Sequence, residues 1–338
     1  MKLVWRGSRT LRLWSAVCVV AFLPLGARGQ TCQTLGELDN ATRTSITTTA
    51  QRYFDMATRG DAASLRQNSI PALASDFAVV EAKIKDNQPN LAGAQGTVKS
   101  SFLLDASGSA PAQNSEFLCG VFGKTGQTAN SAAFYLNNLP PAKYAAVLLD
   151  ANSSKTRTMF SEILELAGSD WKLGDLYIKP AQIAGHDSDW FLTQARQFKA
   201  KGQMHNAFFY YQEARSLVSP LPFMSTLTTD KLFDEYENLQ PTDLPLGGKT
   251  ADLSVGAVTY KLTAVFPQPE GNDLDLIVKY QSTNVANANQ AYQDNLAVMK
   301  ALVAKFPEVR DGFAAAVARA VDASGQDYGT LLAMKDIK

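Results

Sequence analysis

Histidine is nearly missing from this chain: 338 residues hold two, His186 and His205. Cysteine is almost as scarce, with three. That scarcity leaves no basic partner beside a cysteine, so a thiol nucleophile has no support. No G-x-S-x-G elbow occurs. Gly93-Ala94-Gln95-Gly96 and Leu246-Gly247-Gly248-Lys249 both lack the full glycine–lysine spacing of a phosphate loop. Basic and acidic residues balance at 32 each, with no basic stripe. Without the five basic residues of the first 29 positions the balance is mildly acidic, which with no basic stripe argues against nucleic acid and against an anionic membrane surface. Past the first thirty positions no apolar run reaches the ~20 residues a bilayer span needs.

What is present begins with an export pattern. Lys2, Arg6, Arg9 and Arg12 form a basic start without an acid. An apolar run from Leu13 to Leu25 follows, broken by Ser15 and Pro24, and then Ala27-Arg28-Gly29. This reads as a signal peptide over 1–29, cleaved between Gly29 and Gln30. The run is too short for a comfortable anchor. Gly29-Gln30-Thr31 before Cys32 is not a lipidation pattern, and no paired arginines mark a twin-Arg signal. Removal of 1–29 leaves a net charge of −5. The expected product is an exported protein, periplasmic or secreted, with no membrane insertion after cleavage. Cys32 and Cys119 remain, and either a disulfide or two inert buried thiols would fit. Asn40 and Asn152 begin N-x-S/T sequons, which matter only in a host that glycosylates.

The periodicity predicts an α+β protein. Ile46, Ala50, Tyr53, Phe54 and Ala57 mark a helix over 41–59, ended by Gly60. Shorter helices are expected over 62–69 and 75–86, on either side of Pro71. Short apolar and β-branched segments follow at 97–105, 116–123, 131–138, 142–150 and 156–166, separated by Gly and Pro turns.

Two phrases resemble the NTF2-like superfamily, the cone-shaped fold also called cystatin-like. One is Tyr53-Phe54-Asp55-Met56-Ala57-Thr58-Arg59-Gly60-Asp61, leading into Leu65. The other is Trp171-Lys172-Leu173-Gly174-Asp175-Leu176-Tyr177-Ile178. The likeness covers about residues 40–180 and suggests a domain over 40–185. It implies a curved sheet wrapped on a long helix, with a concave pocket. The family holds isomerases, dehydratases and polyketide cyclases, and also domains with no activity, so fold cannot choose the function. Acids, histidines or tyrosines commonly line such a cone. Here Phe102, Leu104, Phe117, Cys119, Val121, Phe134, Leu136, Val147 and Leu149 occupy most alternating strand positions, and both histidines lie later in the chain. Tyr53 remains as the pocket candidate. No catalytic residue, cofactor or metal ligand is assigned.

Residues 186–240 read as a helical segment. Phe191, Ala195 and Phe198 face Ala207, Tyr211 and Ala214 across a turn at Gly202, resembling one tetratricopeptide-type hairpin. A lone repeat cannot bury both faces and is expected to lie on the cone. Two of Phe208, Phe209, Tyr210 and Tyr211 are expected to point inward. Asp187-Ser188-Asp189 beside His186 fits helix capping better than a metal site. Residues 250–338 read as a small β-β-α-α-β domain. Its hairpin has one wet face carrying Asp273 and Asp275, and its second helix carries Phe313, Val317 and Val321. The chain as a whole is expected to bind a small ligand or a protein partner without catalysis. The alternative is an enzyme that uses the cone pocket for isomerisation, dehydration or cyclisation.

Overall fold

The computed structural model describes residues 31–338 apart from positions 125, 154 and 284. The predicted cleavage positions Gly29 and Gln30 lie outside the described residues. A short strand β1 (Thr31–Thr34) precedes helix α1 (Asn40–Thr58). The five apolar residues named above form the buried stripe of α1. Asp39 caps it by accepting the Thr42 N–H, and Gly60 ends it at a φ of 71°. Helices α2 (Ala62–Gln67), α3 (Pro71–Ser75) and α4 (Ala78–Leu91) follow, and Pro71 opens α3 in its first turn.

Strand β2 (Gln95–Asp105) leads into a hairpin of β3 (Ala112–Gly120) and β4 (Ser131–Leu139). Strands β5 (Lys143–Asn152), β6 (Arg157–Ala167) and β7 (Asp170–Pro180) follow. The main sheet is antiparallel in the order β1-β2-β5-β6-β7. The β3–β4 hairpin is an excursion between the paired strands β2 and β5. It forms a second sheet with β8 (Met224–Thr226).

Both faces of the main sheet are buried. One packs on the helices, where the rings of Phe54 and Phe160 meet at 5.0 Å, edge to face. The other packs on the second sheet, where Phe102 and Phe134 meet at 5.1 Å. The alternating positions expected to line one cone are therefore divided. Val147 and Leu149 face the helices, whereas Phe102, Leu104, Phe117, Cys119 and Phe134 fill the space between the sheets. Val121 is exposed.

Helices α5 (Ser188–Ala200) and α6 (Met204–Ser216) form the expected hairpin, followed by α7 (Leu227–Tyr236). Phe208, Phe209, Tyr210 and Tyr211 are all buried, not two of the four. A helix that is apolar all round needs cover on every side. That cover comes from the C-terminal region more than from the main sheet and its helices. Phe209 and Tyr210 both meet Phe313, and the Tyr210 hydroxyl donates to the Gly312 carbonyl at 2.7 Å. The hairpin and residues 244–337 share one core.

The C-terminal region holds β9 (Ala251–Val255), β10 (Val258–Glu270), β11 (Asp273–Gln281), α8 (Ala288–Lys305), α9 (Val309–Gly312), β12 (Ala315–Val321) and β13 (Asp327–Ala333). Its sheet runs β13-β12-β11-β10-β9, with β11 and β12 parallel and joined through α8. The expected β-β-α-α-β order is corrected in two places. Strand β9 adds to the hairpin, and the second helix shrinks to the single turn α9. Val317 and Val321 belong to β12. Its sequence Ala-Ala-Val-Ala-Arg-Ala-Val favours a helix locally. Hydrogen bonds to β11 and β13 on both sides, with Ala316, Ala318 and Ala320 buried in the core, override that preference. Strand β11 is central, with Leu274 to Val278 all buried, so Asp275 is buried and not solvated. Burial, and then the nearby charges of Glu270 and Asp273, raise its carboxyl above the usual range.

Candidate functional site

Cys32 and Cys119 are joined in a disulfide with a Cα–Cα distance of 5.0 Å. The bond ties β1 of the main sheet to β3 of the second, and so fixes one side of the space between them. Tyr53 is fully buried. Its hydroxyl lies 2.8 Å from the Trp171 carbonyl and 3.2 Å from that of Asn68, and accepts from Arg52 at 3.3 Å. Burial is the main cause that raises its phenol above the usual value. The hydroxyl is thus committed to backbone groups, which is a packing role.

Sequence reasoning missed Glu162. It occupies a cross-strand row that runs Ser101, Val147, Glu162, Leu176 over β2, β5, β6 and β7. Residues in one row share a face. Val147 and Leu176 lie in the helix-facing core, as do Phe160 and Leu164 on either side of Glu162 along β6. Glu162 is completely buried, and neither carboxyl oxygen has a hydrogen-bond partner. The Ser101 hydroxyl is buried and unpartnered as well. Burial raises the Glu162 carboxyl well above the ordinary range, so the neutral acid is favoured. The signal was available: Phe160 and Leu164 alternate inward, and the same period carries Glu162 in with them.

An open space lies on the opposite face of the main sheet. A groove of about 910 Å³ runs between β2 and β5, the β3–β4 turn, and the segment leading into α7. Lys99, Ser100, Thr128, Asn130, Thr226 and Thr228 supply its polar lining, and Phe102, Leu148 and Met224 its apolar floor. The register of β2 against β5 shifts between Val98 and Ser100, which makes Lys99 a bulge residue. Its ammonium sits 3.2 Å from Asp150, an exposed pair of small energetic weight. Among the described residues lining the groove, Lys99 alone is charged. The Thr128–Ser131 turn is fixed locally: the Ser131 hydroxyl accepts the Thr128 N–H at 2.8 Å and lies 3.1 Å from its carbonyl.

Asp187 caps α5 by accepting the Trp190 N–H, and the His186 ring stacks on Trp190 at 3.7 Å. Among the described residues no group of three or more His, Cys, Asp or Glu is arranged to hold a metal. No described helix is long and apolar enough to cross a membrane. These features define an α+β protein with a hydroxyl-lined groove between two antiparallel sheets and one unpaired acid in the opposite core. Comparison with protein-family models, curated proteins and solved structures finds no match.

Proposed function

We propose that this chain is an exported, non-catalytic binding protein that holds an uncharged polar ligand in the groove between its two sheets. The observation that carries the reading is the groove's chemistry. It offers hydroxyls, an amide and one ammonium, that of Lys99, whose charge is offset by Asp150, over an apolar floor, and no acid–base pair lines it. Such a surface can orient a ligand by hydrogen bonds but has no group tuned to move a proton. The basic and apolar N-terminal pattern supports export to the periplasm or the exterior, and so does the disulfide. Helices α1–α4 on one face of an antiparallel sheet support an NTF2-like cone over residues 40–185. The α5–α6 pair supports the tetratricopeptide-like hairpin.

The test fills the groove. Ser100→Phe places a ring between the walls. A panel of sugars and polyols is screened for a rise in Tm of the exported chain. A compound that stabilises the wild type and not Ser100→Phe supports the reading. One that stabilises both equally refutes the site.

Glu162 favours a second reading, an enzyme with the buried carboxyl as general base or acid. A buried acid without a partner is the kind of group that isomerisation or dehydration uses, and this reading requires the helix-facing core to open toward Glu162. Turnover of an enolisable substrate by the wild type, lost in Glu162→Gln with the fold intact, would establish it over the first.

A further inference from the structure

The C-terminal region carries a second cavity, remote in sequence from the inter-sheet groove. Strands β11 and β12 are parallel, so both end at the same edge of their sheet, and α8 leads away from that edge. Open sheets bind ligands at the carboxyl ends of parallel strands, where the connecting helix begins. A cleft of about 800 Å³ occupies this position, lined among others by Tyr260, Thr263, Gln281, Thr283, Asp294 and Asp322.

Its geometry is built by the surrounding elements. The pairing of β10 with β11 shifts register between Leu262 and Ala264, which makes Thr263 the bulge residue. Tyr260 stands edge-on to the buried Tyr280 at 5.3 Å, which sets its ring in the wall. The Tyr260 hydroxyl donates to Asp294 Oδ1 at 3.0 Å, and Gln290 Nε2 donates to the same oxygen at 3.0 Å. Two donors from different elements therefore orient this carboxylate. Burial first, then the Asp294 hydrogen bond, push the Tyr260 phenol up to about 12, so it remains a donor at neutral pH. On the opposite rim, Asp322 Oδ1 accepts from the Ser324 N–H, the Ser324 hydroxyl and the Gln326 N–H at 2.8, 2.7 and 3.0 Å. The Ser324 side chain leads in holding that carboxyl below its usual value. Among the described lining residues there is no lysine, arginine or histidine.

We infer that this cleft binds a small organic cation, a primary ammonium on a short apolar body. Two carboxylates without a basic neighbour favour a positive charge and repel an anion. A tyrosine ring attracts an ammonium through its face, and the three N–H donors of that group suit carboxylate and hydroxyl acceptors. Val258, Val321 and Ala323 offer the apolar contact for the body of the ligand.

Calorimetric titration of the purified exported chain with benzylamine and n-butylamine is the experiment. Benzyl alcohol and 1-butanol serve as neutral counterparts of the same shape. Each amine is expected to bind at least about tenfold tighter than its alcohol, and the difference is expected to shrink as salt is added. Asp294→Asn keeps an acceptor for Tyr260 and Gln290 and removes the charge. It is expected to lose about tenfold in amine affinity with an unchanged circular dichroism spectrum. Asp273→Asn, at the exposed start of β11, is expected to leave affinity unchanged. If Asp294→Asn unfolds, Asp322→Asn on the rim carries the test with the same expected loss. Equal affinity for amine and alcohol overturns the inference. So does undiminished amine binding by the folded aspartate variant, or no amine binding at about 10 mM.

Discussion

Ser101 and Glu162 stand on either side of Val147 in one cross-strand row, and neither side chain has a hydrogen-bond partner for its oxygens. A buried polar group without a partner carries its full desolvation penalty. Glu162→Leu is therefore expected to stabilise the folded chain by about 1–3 kcal/mol at neutral pH. The sign of the pH effect follows from the raised native value. The folded chain keeps a proton that the unfolded chain has already released above its ordinary carboxyl value, so stability falls as pH rises past 4.5. Urea unfolding of wild type and variant, at pH 4.5 and again near neutrality, checks both points. A variant that is less stable at neutral pH would mean that the carboxyl has a favourable partner.

Glu213 on α6 works in the same direction. Burial pushes it from 4.5 up to about 7, against an opposing effect of Lys179. Its contribution is present at acidic pH and is lost progressively between 4.5 and about 7 as pH rises. Glu213→Gln is expected to flatten the stability curve in that window. An unchanged slope would show that the group titrates normally.

The Cys32–Cys119 bond closes a loop with a sequence separation of 87 residues. In the chain-entropy model such a loop adds about 4.5 kcal/mol at most. The double substitution Cys32→Ser and Cys119→Ser is expected to lower the urea midpoint and to loosen the inter-sheet groove. Intact mass after alkylation without reductant is expected to show no modified thiol in the exported wild type, from which Cys18 has been removed with the first 29 residues. Two alkylated cysteines in native protein would refute the bond.

Gly120 ends β3 at a φ of 80°, and a Cβ there would lie 2.0 Å from the Asn130 carbonyl oxygen. Both the backbone conformation and the close approach require glycine. Gly120→Ala is expected to cost at least about 2 kcal/mol. Because Asn130 lines the groove, any groove ligand is expected to weaken as well. Calorimetric melting decides it: a Tm equal to wild type would mean that the turn is looser than this geometry.

Much of the local structure was legible in the sequence because one neighbour decided it. The α1 stripe and the α5–α6 faces each follow from a period and a turn residue. The β10–β11 hairpin follows from its turn at Gly271, but its expected wet face does not, because Leu274 to Val278 are all buried in the central strand. Other positions depended on partners far along the chain. Ala316, Ala318 and Ala320 become strand residues only because β11 and β13 flank them. Phe208 to Tyr211 look half exposed until Phe313 and Tyr236 close over α6. Glu162 reads as an outward polar residue by type, and its inward phase follows only from the row it shares with Val147 and Leu176. The groove joins β2, the β3–β4 turn and the approach to α7, and no local pattern announces a space made by three such distant stretches.

The bond from Tyr210 to Gly312 spans 102 positions of chain. The chain is made, and in an exported protein can be threaded across the membrane, from its N-terminus, so the aromatic surface of α6 precedes its lid; at roughly 5–20 residues per second the synthesis lag alone is about 5–20 s. During that interval Phe209 and Tyr210 lack Phe313, while Phe208 and Tyr211 can already meet Tyr236 of α7. A holding chaperone that favours aromatic segments would find its clearest binding site there, and would be released when α9 arrives.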